Sequence, residues 1–312
     1  MRRRDLLSLG AAAGLAACAP RDARMTLVLG DQQRGQRLAA DASKAFEGAP
    51  YKVEWANFNS PTPLFEAASS GAVDTLSAID NMVLLGAILG RPYKIVAAAA
   101  ASSRNIGVLV PASSDIQSVA QLKGRKIIVS TAPGGTADAV LYAAIREAGL
   151  KDSDIKPGYM LQPDALAAFQ GGQIEAWATN DPNLARAQAG GARLLRDGEG
   201  INKSVTFVAV SDKALADPRK RPALRDALAR LAKARAWTSA NLDAYATYYA
   251  QQTSMTPDLA RTTLTRRGDQ PLTPITPEII AAAQAVTDAY ADRGTFPKHA
   301  DVTPFFDASL FG

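Results

Sequence analysis

Two α/β lobes, each with its own sheet, are the fold class that this sequence predicts. Short apolar runs bounded by glycines alternate with segments of helical period. That alternation is interrupted near residues 102–104 and 203–205 and resumes each time, and a long, mostly helical stretch follows residue 210. Two units joined by two crossings leave a cleft between them, and small ligands bind in clefts at domain interfaces and at the carboxyl ends of parallel strands.

The first unit opens with a buried strand over 26–29 that ends at Gly30-Asp31-Gln32 and is followed by a helix reaching about residue 45. Residues 51–55 alternate as a second strand. A helix over 64–70 is closed by Gly71, and a third strand covers 73–78. A helix over 82–89 is closed by Gly90, and 94–101 runs extended. This alternation predicts a mostly parallel sheet covered by helices. The second unit repeats the grammar. It has strands at 106–110, 126–130, 174–177 and 193–195, and helices at 115–122, 136–148 and 164–170. A further helix starts at Pro182, with Asp181 as its cap. A strand over 204–210 returns to the first unit, and helices follow at 222–252, 257–266 and 277–290.

The N-terminus specifies an address rather than a fold. Arg2-Arg3-Arg4 precedes about a dozen apolar residues and then Leu15-Ala16-Ala17-Cys18, the pattern of an export signal. The run is too short to span a bilayer, which needs about 20 residues. Leu15-Ala16-Ala17-Cys18 resembles the lipobox of bacterial lipoproteins, and Arg3-Arg4-Asp5-Leu6-Leu7 more loosely resembles a twin-arginine export motif. The expectation is therefore a signal peptide over 1–17, lipidation at Cys18 and a tether over 18–24. Lobe I then covers 25–101, lobe II 102–204, and the chain over 205–312 completes lobe I.

Composition excludes several functions. Cys18 is the only cysteine and His299 the only histidine. With the thiol committed to an anchor, no disulfide, catalytic cysteine, histidine metal cage or Ser-His-Asp arrangement is expected, and no cofactor. Removing residues 1–17 takes three arginines and one aspartate from a formal charge of +5, leaving +3. Outside Arg2-Arg3-Arg4 the longest basic run is the triplet Arg219-Lys220-Arg221, too short to point to nucleic acid as a partner.

Candidate ligand contacts lie where strands end. Ser130-Thr131-Ala132-Pro133-Gly134-Gly135-Thr136 joins a strand to a helix through a glycine pair. Gly134 and Gly135 let backbone approach a ligand, free N–H groups at the helix start attract an anion, and Thr136 adds a hydroxyl. An ordinary βα turn explains the same residues. Gln32, Asn59, Ser60 and Thr62 supply neutral donors after the first two strands and can equally cap helices. Trp177, with Asn180 and Asp181, follows a second-lobe strand, where an indole can line an aliphatic tail or fill the core.

From Ser114 to Phe207 the chain resembles the substrate-binding proteins of ABC importers for aliphatic sulfonates, taurine, nitrate and pyrimidine precursors. Ser118-Val119-Ala120-Gln121-Leu122-Lys123-Gly124-Arg125-Lys126-Ile127 carries part of the resemblance, as does Asp197-Gly198. The stretch Asp164-Ala165-Leu166-Ala167-Ala168-Phe169-Gln170-Gly171-Gly172-Gln173-Ile174-Glu175-Ala176-Trp177, continuing to Asn180-Asp181-Pro182, is the strongest part. Thr273-Pro274-Ile275-Thr276-Pro277-Glu278 with Ala291-Asp292-Arg293 looks like the family's final helix.

The resemblance implies a type II periplasmic-binding-protein fold with two mixed sheets, a monomer, and capture of a small organic ligand for ABC permease subunits. Its placement would be periplasmic, with membrane attachment through Cys18. It also implies a ligand-facing turn at Asp80-Asn81. A sensory binding protein needs the same cleft, and desulfinases and pyrimidine synthases share the fold but use a cysteine or several histidines. Asp80, Asp138 and Asp181 sit in the pocket loops, with Arg34 and Arg37 the nearest basic residues. That acidic set opposes an anion unless the carboxylates cap helices or point away.

Overall fold

A computed structural model describes residues 25–100, 102–130, 135–201 and 205–311. Lobe I begins with β1 (Thr26–Gln32), α1 (Gly35–Ala42), β2 (Lys52–Phe58), α2 (Pro61–Ser70), β3 (Thr75–Ile79), α3 (Asp80–Ile88) and β4 (Tyr93–Ala100). Lobe II holds β5 (Ile106–Val110), β6 (Ile127–Val129), α4 (Thr136–Glu147), β7 (Gly158–Tyr159) and α5 (Gln162–Gln170), then β8 (Ala176–Asn180), α6 (Asn183–Ala189) and β9 (Arg193–Asp197). The chain returns through β10 (Val205–Ser211), α7 (Asp212–Ala216), α8 (Lys220–Ala240) and α9 (Leu242–Thr253). It ends with α10 (Pro257–Arg267), β11 (Leu272–Pro274) and α11 (Pro277–Asp292).

Sheet order is β11-β4-β10-β3-β1-β2 in lobe I and β7-β6-β8-β5-β9 in lobe II. The expected mostly parallel sheet is mixed in both. β1 runs parallel to β2 and β3, but β10 lies antiparallel between β3 and β4, and β11 antiparallel to β4. In lobe II, β5 is antiparallel to β8 and β9, while β6 is parallel to β7 and β8. The strands that cross between lobes, β5 and β10, thus reverse the sense of the sheets they join.

Alternation along β10 explains its place between two helical layers. Phe207 and Ala209 pack with Leu64, Val83 and Leu84 of α2 and α3. Val208 and Val210 pack on the other face with Leu224, Leu228 and Leu231 of α8. The same alternation in β8 sends Ala176 and Ala178 toward α4 and Trp177 toward Phe169 and Leu184.

Three expectations need correction. The single helix over 222–252 is two, because Asn241 leaves helical dihedrals (φ −125°, ψ 44°). Its backbone N–H makes the last i→i−4 bond of the helix to the Trp237 carbonyl, and its Nδ2 donates to the same oxygen, both at 2.9 Å, a side-chain bond that closes the turn. The expected helix over 115–122 is only a 3-10 turn at Val119–Leu122. The helix expected to begin at Pro182 begins at Asn183, although Asp181 still accepts the Ala185 N–H at 2.9 Å.

At Gly30, β1 passes so close to β3 that no side chain fits. An added Cβ would lie 2.6 Å from the Thr75 carbonyl oxygen and 2.7 Å from a Leu64 methyl. Gly30→Ala should therefore cost about 1–3 kcal/mol, because a backbone carbonyl must move. Urea unfolding should show a lower midpoint at unchanged m-value, and a stability equal to the parent's would refute the packing argument.

Candidate functional site

The carboxyl ends of β1 and β3 and the start of β10 meet α1, α8, α9 and α10 around a cavity of about 440 Å³. Asp31 shapes one wall. It is buried, and its two oxygens accept the N–H groups of Gln36 (3.1 Å) and Arg37 (2.9 Å), which caps α1 from outside the helix. Burial raises its pKa despite these donors. Gln33 and Arg34 then take left-handed conformations (φ 53° and 60°). The Arg34 N–H donates to Asn57 Oδ1 at 2.8 Å and the Gln33 N–H to the Phe58 carbonyl at 3.0 Å, holding the turn against β2. Gln32 and Gln33 are thereby set in the cavity wall.

The helical wall supplies Arg235 from α8, Tyr245 and Tyr249 from α9, and Arg267 from α10. The break at Asn241 turns α9 so that its tyrosines meet Arg235. The Tyr245 and Tyr249 rings pack edge to face at 5.9 Å, and the Arg267 guanidinium lies 5.7 Å from the Tyr249 ring centre. Burial lowers the pKa of Arg235, and the charge of Arg267 adds to that effect.

Lobe II presents the start of α4. Gly135 is its N-cap, with φ −73° and ψ 174°, an extended conformation open to any residue. Thr136 is the first helical residue, so its hydroxyl is not at the cap position, and among the described residues no side chain caps the helix. Asp138 in the first turn is buried, and the Tyr159 hydroxyl donates to its Oδ1 at 2.8 Å. Across from it in lobe I, Asp80 Oδ1 accepts the Asn81 N–H at 2.7 Å, and Asn81 Nδ2 donates to the Tyr290 hydroxyl at 3.2 Å. Tyr290 feels both Asp80 and Asp138, in addition to the burial that raises its pKa. The carboxylates at the starts of α3 and α4 thus both act on one tyrosine of lobe I.

A second seam joins the lobes. Asp181, at the end of β8, accepts a hydrogen bond from Arg266 of α10 at 3.2 Å, and the same guanidinium donates to Gln188 of α6. Burial pushes Asp181 up to about 6, against the pull of Arg266. Asn180 Oδ1 accepts from Gln162 Nε2 at 2.5 Å.

The structure thus brings Gln32 into the cavity wall, places Asp80, Asn81 and Thr136 where the lobes meet, and puts Asp181 on the seam. Trp177 is fully buried. Its Nε1 donates to Ser130 Oγ at 2.6 Å and its ring packs 5.2 Å from Phe169, so it belongs to the lobe II core in this conformation. Asn59, Ser60 and Thr62 are exposed and do not line the cavity. Gly134 and Cys18 fall outside the described residues. The acidic set expected to oppose an anion is largely committed elsewhere, Asp181 to a helix start and an arginine, Asp80 to backbone N–H groups, and Asp138 to a tyrosine.

Sequence reasoning missed Arg235 and Arg267. Arg235 stands four residues after Leu231, in line with the buried stripe of Leu224, Leu228 and Leu231, where an apolar residue belongs. A cation on the apolar face of a helix was the available signal. Among the described residues no group of three His, Cys, Asp or Glu side chains could hold a metal ion, and no helix is long and apolar enough to cross a membrane.

Residues 46–230 match the family model described as NMT1/THI5 like. The chain belongs to this family. Among its relatives, a protein of Bacillus subtilis (strain 168) named as aliphatic sulfonates-binding is 30% identical over 267 residues, covering 84% of this chain and 78% of that one. The Escherichia coli (strain K12) protein of the same name is 29% identical over 252 residues, with coverages of 80% and 78%. The alkanesulfonate-binding protein SsuA from Xanthomonas axonopodis pv. citri, solved bound to MOPS, superposes with a TM-score of 0.77 at 27% identity. That match covers 90% of this chain and 98% of SsuA. The fold is that of the type II periplasmic binding proteins, and this family member is a substrate-binding protein of the ABC-importer type, not an enzyme.

Asp80 gives a pH test of the interlobe surface. Burial pushes it up to about 6 from 3.8. Between those values the folded protein keeps a proton that the unfolded chain has released, so stability is highest below about pH 4 and falls as pH rises through about 6. Asp80→Asn keeps the neutral form at every pH. Its stability relative to the parent should therefore be about 1–3 kcal/mol greater at pH 8 than at pH 4. Chemical denaturation at the two pH values checks this, and a pH-independent difference would show that Asp80 is not desolvated.

Proposed function

We propose that the protein captures a small organic sulfonate between its lobes and delivers it to an ABC permease, held at the membrane by a lipid on Cys18. The observation that carries this reading is the pairing of a cavity of about 440 Å³ at the carboxyl ends of the lobe I strands with the start of α4 in lobe II. The cavity falls within the size range of small-molecule sites. A helix start favours an anion, and among the described residues no side chain caps this one. The relatives' names supply the sulfonate, and MOPS in SsuA is itself a sulfonate. Two crossings between lobes, near residues 101–105 and 198–204, permit closure by rotation with little loss of core packing.

Small-angle scattering with and without MOPS or pentanesulfonate tests capture. The radius of gyration should fall at saturating ligand. If titration calorimetry detects no alkanesulfonate binding, the sulfonate reading fails.

The anchor has its own test. The basic residues, the apolar run and Leu15-Ala16-Ala17-Cys18 support processing at Cys18. Stable attachment takes more than one acyl chain. Cys18→Ser should move the protein from the membrane fraction to the soluble periplasmic fraction or leave it unprocessed. Normal maturation with unchanged membrane retention would rule the anchor out.

A further inference from the structure

The cavity of lobe I holds two partly buried guanidiniums, on which Asp31 and Asp181 act only at a distance. Arg235 Nη1 donates to the Gln270 carbonyl at 3.3 Å, and Arg267 lies over the Tyr249 ring. Among the described residues neither forms an ion pair. Asp31 is close enough to influence Arg235, but both of its oxygens are taken by α1 N–H groups. Asp269 also lines the cavity, yet it is exposed and pairs with neither arginine.

Two cations that repel each other in a partly dry cavity are an expensive arrangement unless a ligand supplies the missing charge. Resting on the reading of the protein as a solute-binding protein, we infer that Arg235 and Arg267 form an oxyanion seat in lobe I. That seat receives the sulfonate head of the ligand. Guanidinium groups suit this task because their paired N–H donors match the oxygens of a tetrahedral anion. Tyr245 and Tyr249 provide an aromatic wall for the carbon chain next to the head.

The seat predicts that stability and binding respond in opposite directions at Arg235. In the unliganded full chain, Arg235→Gln removes a buried charge that Arg267 repels without breaking an ion pair, so it should raise the melting temperature, whereas Arg267→Gln should not, because Tyr249 and Asp181 favour the Arg267 charge. Each variant should weaken pentanesulfonate binding ten- to a hundredfold by titration calorimetry, the scale of a lost charged hydrogen bond. Arg235→Lys should keep part of the affinity, because it keeps the charge but not the paired donors.

Inorganic sulfate separates this inference from the sulfonate reading. If pentanesulfonate fails to bind the parent but sulfate raises its melting temperature, and does so less in both glutamine variants, the seat stands and the sulfonate reading falls. If pentanesulfonate binds the parent and both folded glutamine variants equally while Thr136→Ala weakens it, the head sits at α4 and the seat is overturned. If neither anion acts on the parent, both fail.

Discussion

The antiparallel insertion of β10 between β3 and β4 is the constraint on which the rest of this molecule depends. The strand arrives from lobe II and runs through the middle of the lobe I sheet, so lobe I is not closed until lobe II has been passed. Its side chains feed both helical layers, Phe207 and Ala209 on one face and Val208 and Val210 on the other. Its first turns set Thr206 beside Ile79, which puts the crossing at the lip of the cavity. Its end is tied in by the Ser211 N–H to the Asp74 carbonyl at 2.9 Å and the Asp212 N–H to the Pro92 carbonyl at 3.0 Å. Core, crossing and ligand wall are therefore one structural decision.

Electrostatics around the cleft follow from which charges find partners inside the fold. Carboxylates at strand ends are consumed by helix starts and neighbouring donors, as Asp31 is by α1 and Asp181 by α6 and Arg266. Arg235 of α8 and Arg267 of α10 are not consumed in this way: among the described residues neither forms an ion pair, and tyrosines, glutamines and backbone make up much of the wall around them. A site built from sequence proximity alone reads as acidic. The folded site has its acids satisfied and its cations facing the cavity.

Much of the fold was legible because buried strands and glycine stops are local signals. Gly71 closes α2 with φ 69°, where a left-handed residue was expected, and the β-α alternation gave every strand of lobe I through β4. Strand direction was not legible, since nothing in the apolar run of β10 states which neighbours it will join. The helix break at Asn241 was missed because helical period continues on both sides of it and its local mark is a single side-chain bond to the Trp237 carbonyl. The site was read only in part. Gln32 and Asp80 lie at strand ends, where position along the chain predicts position at the cleft. Arg235 and Arg267 come from helices some 200 residues later, and only the completed sheet brings them to β1. Trp177 reads either as ligand wall or as core, and β8 pleating sends its ring into lobe II.

Helix α10 joins the two halves of this argument. Arg266 and Arg267 are consecutive and so project about 100° apart around the helix axis. Arg266 reaches lobe II at Asp181 and Gln188, while Arg267 turns into the lobe I cavity over Tyr249. One turn of helix thus carries both the contact that holds the lobes together on that side and a wall of the cavity.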